Sequence, residues 1–387
     1  MKTWQGVGGA TAHGRLVVCY VSTWAVYRPG RGSWSLDNLD ATLCTHLIYA
    51  FAGLDNRTNT IRSLDEFHDL EDNYGKGTYK KMTALKNKYH HLKVSIAIGG
   101  WNEGSTNYSK MAANPASRRA FINSVSDFIR KYEFDGLDLD WEYPAKRGGD
   151  IADKQNFVQL VKELREEFDK NHWLLTAALG VAQDTIDAAY DLKALGQYLD
   201  YMHAMCYDLH GAWDRQEYAV KYLMKLGAPA RKLVLGVPFY GRTFLMDHDE
   251  NEILGAPAAD KGFPGPYTKE DGFMGYNEVK FAMKLDLAGL MVWSIDTDDF
   301  HGDCVTGNGG VSTNYPLMKT ISKTITEALQ ERQEHEHAHD HEHDHDHDHA
   351  DHNDMDNEII GNASDATVLA TTSGLMAGAI AIQLYML

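Results

Sequence analysis

The chain's 387 residues exceed the roughly 250 that a single α/β barrel needs, and 43% hydrophobic residues are enough for a sizeable core. A net charge of −18 argues against a nucleic-acid partner, and four cysteines are too few for a disulfide scaffold but compatible with one bridge. The acidity is uneven, because residues 331–358 hold twelve acids and one arginine.

In chain order, residues 1–13 form an N-terminal segment without the apolar stretch of a signal peptide. From Leu16 onward, short β-rich apolar runs alternate with helical patterns, which predicts a parallel α/β architecture. Strands are expected at Leu16–Val21, His46–Phe51, Val94–Ile98, Gly136–Asp140, Leu174–Ala178, Tyr201–Tyr207, Leu233–Val237 and Leu290–Ile295. Eight strands are the number that closes a (β/α)8 TIM barrel. Cys19 ends the first strand and Cys44 precedes the second, so a Cys19–Cys44 pairing is geometrically plausible. Asn114-Pro115 offers an N-cap and a first-turn proline for a helix over 116–132. Phe157, Leu160, Val161, Leu164 and Phe168 recur at helical spacing opposite Lys162, Glu163, Glu166 and Glu167, and a last helix is expected at Pro316–Leu329.

The fourth strand carries the chemistry. In Asp135-Gly136-Leu137-Asp138-Leu139-Asp140-Trp141-Glu142, three acids alternate with Leu and Trp, so an extended backbone projects Asp138, Asp140 and Glu142 to one side. Like charges at that spacing raise one another's pKa, a cost that points to proton transfer rather than to a solvated edge. Glu142 falls just past the strand end, where barrel active sites lie.

This run resembles the D-G-x-D-x-D-x-E signature of family 18 glycoside hydrolases, the chitinases, and the resemblance extends from about Gly14 to Leu329. Ser95 to Trp101 resembles the family's S-x-G-G block, Met205-Cys206-Tyr207-Asp208 its M-x-Y-D block, and Gly236 to Arg242 its G-x-P-x-Y-G-R block. The resemblance implies Glu142, Asp140, Asp138 and Tyr207 as catalytic residues. It implies Tyr20, Phe51, Trp101, Met205, Asp208, Tyr240, Arg242 and Trp293 as substrate contacts, with Trp24 in the same aromatic lining. Family 18 is an exception to the two-carboxylate retaining mechanism, because the substrate's acetamido group serves as nucleophile. Glu142 would then protonate the glycosidic oxygen, Asp140 would hold the acetamido nitrogen, Asp138 would share a proton with Asp140, and Tyr207 would anchor the acetamido oxygen. No cofactor and no catalytic metal are implied. The implied partner is chitin or chitooligosaccharides, acted on by a monomer outside the cell. A chitin-binding lectin-like protein is the alternative function, although the retained Glu142 favours hydrolysis.

The chain departs from the family in places. Beyond His210 to Asp214 the usual substrate-facing loop is short, and the α+β insertion between strands seven and eight is reduced to about Leu245–Asn277, which leaves Cys304 without its implied partner. Three N-glycosylation sequons begin at Asn56, Asn107 and Asn362. Residues 331–360 read as a disordered stalk in which nine histidines between His335 and His352 alternate with acids, a composition that also suits zinc, nickel or copper. Residues 361–387 read as a GPI-attachment signal or a membrane anchor, predicting membrane attachment through the C-terminus.

Overall fold

The computed structural model describes residues 13–208, 216–240, 244–246, 258–261, 288–302 and 314–343. Its strands are β1 (Leu16–Ser22), β2 (His46–Asp55), β3 (Thr60–Ser63), β4 (Lys93–Gly99), β5 (Gly136–Asp140), β6 (Leu174–Gly180), β7 (Tyr201–Met205), β8 (Leu233–Pro238), β9 (Phe244–Met246), β10 (Ala258–Lys261) and β11 (Gly289–Trp293). Eight of these pair in parallel in the order β1-β2-β4-β5-β6-β7-β8-β11, and β11 pairs again with β1. The ring is closed, so the eight-stranded barrel expected from the alternation is present and has no free edge.

Each barrel strand sits where a β-rich run predicted it. What the periodicity did not reveal is β3, which folds back antiparallel on the outer half of β2, with Ala52 opposite Ser63 and Asp55 opposite Thr60. Asn56-Arg57-Thr58 lies in the exposed turn of this hairpin. The second sequon is less open: Asn107 is inside the helix Thr106–Ala113, and Ser109 is buried with its hydroxyl on Asp153. Cys19 and Cys44 form the plausible disulfide, their Cα atoms 6.1 Å apart, tying β1 to the segment that enters β2.

Strand alternation divides the core in two. Leu137 and Leu139 of β5 join Leu175, Ala177 and Leu179 of β6 in the layer between the sheet and the helices, against Phe157, Leu160 and Leu164 of the helix Asp153–Phe168. The opposite face fills the barrel with Val18, Tyr20, Ile48, Ala97, Ala178 and Met205. Burying a leucine contributes about 2 kcal/mol, so Leu137 and Leu139 offset part of the cost of carrying Asp138 and Asp140 into that interior.

The helix Pro115–Tyr132 starts as its sequence dictates. Asn114 accepts from the backbone N–H groups of Ala116 and Ser117 at 2.8 and 3.3 Å, and Pro115 takes the first turn, where its missing N–H costs nothing. Gly99, at the end of β4, has φ +118°, and a Cβ there would lie 2.1 Å from the Asp140 carbonyl oxygen. Glycine is needed because β4 approaches β5 closely at the level of Asp140. The described chain up to Leu329 belongs to one compact unit, and Gln330 to His343 belong to a second. The last helix, expected to stop at Leu329, runs over Pro316–His343.

Candidate active site

Every described candidate site residue lies on a barrel strand or just past its carboxyl end. Asp138 and Asp140 are on β5, and Glu142 lies two residues beyond it; all three are buried, with Glu142 9% exposed. Tyr20 comes from β1, Phe51 from β2, and Trp101 from the segment after β4. Met205 ends β7, with Tyr207 and Asp208 just beyond it; Tyr240 lies past β8 and Trp293 ends β11. Arg242, the loop at His210 to Asp214, most of the reduced insertion and Cys304 lie outside the described residues.

Asp138 is the best satisfied of the three acids. Its Oδ2 accepts from the Tyr20 hydroxyl at 2.6 Å, its Oδ1 accepts from the Thr176 hydroxyl at 2.6 Å, and His203 Nδ1 lies 3.1 Å from the same Oδ1. The Tyr20 hydroxyl is also 3.0 Å from His203 Nδ1. Asp140 is different: its buried Oδ1 has no hydrogen-bond partner among the described residues. Burial, then Glu142 and Asp138, push the Asp140 carboxyl well above the usual carboxylate range.

Burial pushes Glu142 up to about 7; a hydrogen bond with Tyr143 and the charge of Arg147 pull down, and Asp208 pushes up. The expected crowding of acids therefore acts most plainly on Asp140. For Glu142 burial is the larger cause, and the carboxylate that adds to it is Asp208, after β7.

Aromatic rings line one wall. Trp24 stacks on Phe51 with ring centres 6.2 Å apart, Phe51 stacks on Trp293 at 5.7 Å, and Tyr20 meets the edge of Trp293 at 5.5 Å. The peptide bonds before Phe51, Tyr143 and Ser294 are cis. Tyr207 and Tyr240 meet edge to face at 5.9 Å, and a Cβ at Gly236 would lie 2.3 Å from the Ala204 carbonyl oxygen and 3.0 Å from the Tyr207 ring. Among the described residues no group of three or more His, Cys, Asp or Glu side chains could hold a metal ion.

Sequence reading missed four contributors. Thr176 and His203 occupy alternate, inward positions of β6 and β7, and the strand period would have placed them beside Asp138 once the register was known. Ser105 takes the Trp141 indole N–H at 2.7 Å and donates to the Tyr143 carbonyl at 2.7 Å, holding a side chain on one side of Glu142 and the backbone on the other. Arg147 sits in an irregular turn and carries no sequence signal at all.

The family profile described as Glycosyl hydrolases family 18 matches residues 16–298. A Drosophila melanogaster protein named Probable chitinase 2 is 45% identical, with the match covering 85% of this chain and 84% of that protein. The crystal structure of Ostrinia furnacalis Group IV chitinase in complex with allosamidin superimposes with a TM-score of 0.74 at 37% identity, over 81% of this chain and 99% of that one. Human YKL-39, described as a pseudo-chitinase with retained chitooligosaccharide binding properties, superimposes with a TM-score of 0.69 at 30% identity, over 81% of this chain and 100% of its own. With its barrel, its acidic strand and these matches, the chain belongs to glycosyl hydrolases family 18.

Proposed function

We propose that the protein hydrolyses the β-1,4 linkages between N-acetylglucosamine units of chitin by substrate-assisted retaining catalysis. Two features carry this reading: burial at the barrel mouth pushes Glu142 up to about 7, and the neighbouring Asp140 buries an oxygen that has no partner among the described residues. The first is what a general acid needs near neutrality. The second fits a donor brought by the substrate, and an acetamido N–H is such a donor.

In this mechanism Glu142 protonates the glycosidic oxygen as the bond to the anomeric carbon breaks. The acetamido oxygen attacks that carbon from the other face, and Asp140 accepts the acetamido N–H and stabilises the positive charge that develops on the ring so formed. Asp138, held by Tyr20 and Thr176 and adjoined by His203, helps Asp140 keep its proton through its charge, and Tyr207 anchors the acetamido oxygen. Water, activated by the deprotonated Glu142, then reopens the ring with retention. Trp293, Phe51 and Trp24 offer a stacked floor for successive sugars.

The Cys19–Cys44 disulfide supports action in an oxidising, extracellular setting. The C-terminal attachment segment lies outside the described residues, and among those described no helix is long and apolar enough to cross a membrane. The test compares fluorogenic N-acetylated chitin oligomers with cellulose oligomers, using wild type and Glu142→Gln. Cleavage of the chitin oligomers alone is expected, with the variant losing roughly 10²-fold or more in kcat while still binding oligomer. Equal cleavage of both substrates would overturn the substrate-assisted mechanism, and chitin-oligomer binding without turnover in the wild type would favour the lectin-like alternative.

A further inference from the structure

The turn just past the acid, residues 143–153, is fixed along its length. Asp153, fully buried, accepts the Ser109 hydroxyl at 2.7 Å and the backbone N–H groups of Asp150 and Ala145 at 2.8 and 3.2 Å. The Ser105 hydroxyl holds the Tyr143 carbonyl, and the Thr106 hydroxyl donates to the Gly148 carbonyl at 3.3 Å. Within this frame Arg147 adopts φ +49°, a left-handed conformation that non-glycine residues take only when their surroundings impose it.

Its side chain bridges two segments. Nη1 donates to the Glu142 carbonyl at 3.0 Å, Nη2 donates to the Trp101 carbonyl at 2.9 Å, and the guanidinium carbon lies 3.5 Å from the centre of the Trp101 ring. Trp101 is still 59% exposed, so the ring is braced by the cation and remains open to a ligand. A planar guanidinium that stacks and donates two bonds at once holds a ring in a way that an ammonium cannot.

We propose that Arg147 is a positioning residue: it locks the Trp101 ring as a stacking surface for a sugar beside Glu142 and, through its charge at the Glu142 backbone, sets the alkaline limit of hydrolysis. The inference rests on the chitin-hydrolysing reading above. The groups that shift Glu142 are Tyr143 and Arg147 from the turn and Asp208 from beyond β7, while Asp140 from its own strand, Tyr190 from beyond β6 and Tyr207 from beyond β7 are the other titratable groups close enough to feel its charge. Of these, Arg147 is the cation, and its charge opposes proton retention by Glu142. Removing it leaves burial and Asp208 less opposed, so Glu142 holds its proton to higher pH.

Arg147→Lys and Arg147→Gln separate the two effects. Kinetics against pH on a fluorogenic chitin oligomer should show the alkaline limb moved to higher pH in Arg147→Gln and unmoved in Arg147→Lys. KM should rise roughly threefold in both, the scale of one exposed cation–π contact. Adding Trp101→Ala to Arg147→Gln should raise KM by less than the two changes do separately, because they remove one shared contact. An alkaline limb and a KM both unchanged in Arg147→Gln would overturn the proposal, as would a uniform loss of kcat at every pH, which is what a merely structural residue gives. If the wild type cleaves no chitin oligomer, the hydrolytic reading fails by itself. Tryptophan-fluorescence titration with unlabelled oligomer then decides the clamp, and equal affinity in wild type and Arg147→Gln would end it.

Discussion

Glu142 is a carboxyl group in a place that favours its protonated form. Its proton is held up to about 7 against an ordinary value of 4.5, chiefly by burial, so hydrolysis should decline as pH rises through about 7 and the general acid is lost. The same shift sets a stability profile. A carboxyl whose folded pKa lies above its unfolded value binds its proton more tightly when folded, so its destabilising effect begins above pH 4.5 and is complete above pH 7. Glu142→Gln removes the ionisable group, and thermal unfolding should show the variant gaining stability over wild type at pH 8, by up to about 3 kcal/mol, with little gain at pH 4.5. A difference in Tm that does not change between those pH values would count against burial as the cause. Asp138 poses the complementary case, since a carboxylate with two hydroxyl donors and an adjoining imidazole is satisfied without substrate, whereas Asp140 is not.

At the scale of elements, β5 works because its two faces have different neighbours. Leu137 and Leu139 meet the helix layer while Asp138 and Asp140 enter the barrel, an alternation already plain in the amino-acid order. The register with β4 and β6 aligns Asp140 with Gly99 and Asp138 with Thr176, and no pattern within β5 could have specified it. The β1–β2 seam has its own fastening in Cys19–Cys44, whose closure of a 25-residue separation restricts the unfolded chain. Replacing both cysteines by alanine should lower stability by roughly 3 kcal/mol, read as a lower urea midpoint with a slope no smaller than that of the wild type, since the unfolded chain is released. An unchanged midpoint would mean that the strand pairing alone holds the seam.

At the scale of the whole molecule, the barrel residues up to Leu329 form one compact unit, and the residues from Gln330 to His343 belong to another. The site residues all precede that boundary, and so does the family match, which ends at residue 298. A chain ending at Leu329 should therefore keep oligomer hydrolysis within about twofold of the full chain and a Tm within a few degrees. Loss of folding in the shortened chain would show that the later residues stabilise the barrel.

Fold class and candidate catalytic acids were legible in the sequence for one reason: both depend on local order. Strand-helix alternation is a property of consecutive residues, and so is a run of acids at every second position that ends at Glu142. The Asn114 cap and the apolar stripe from Phe157 to Phe168 belong to the same class of signal. Tertiary structure decided which residues meet across the barrel: Tyr20, Thr176 and His203 converge on Asp138 from three other strands, and Asp208 reaches Glu142 electrostatically from beyond β7. It also decided the degree of burial, which governs how tightly Glu142 holds its proton, and it alone brought Arg147 onto Trp101 from an irregular turn. Periodicity constrains neighbours along the chain, while desolvation and charge act through space and are fixed only when the ring of strands closes.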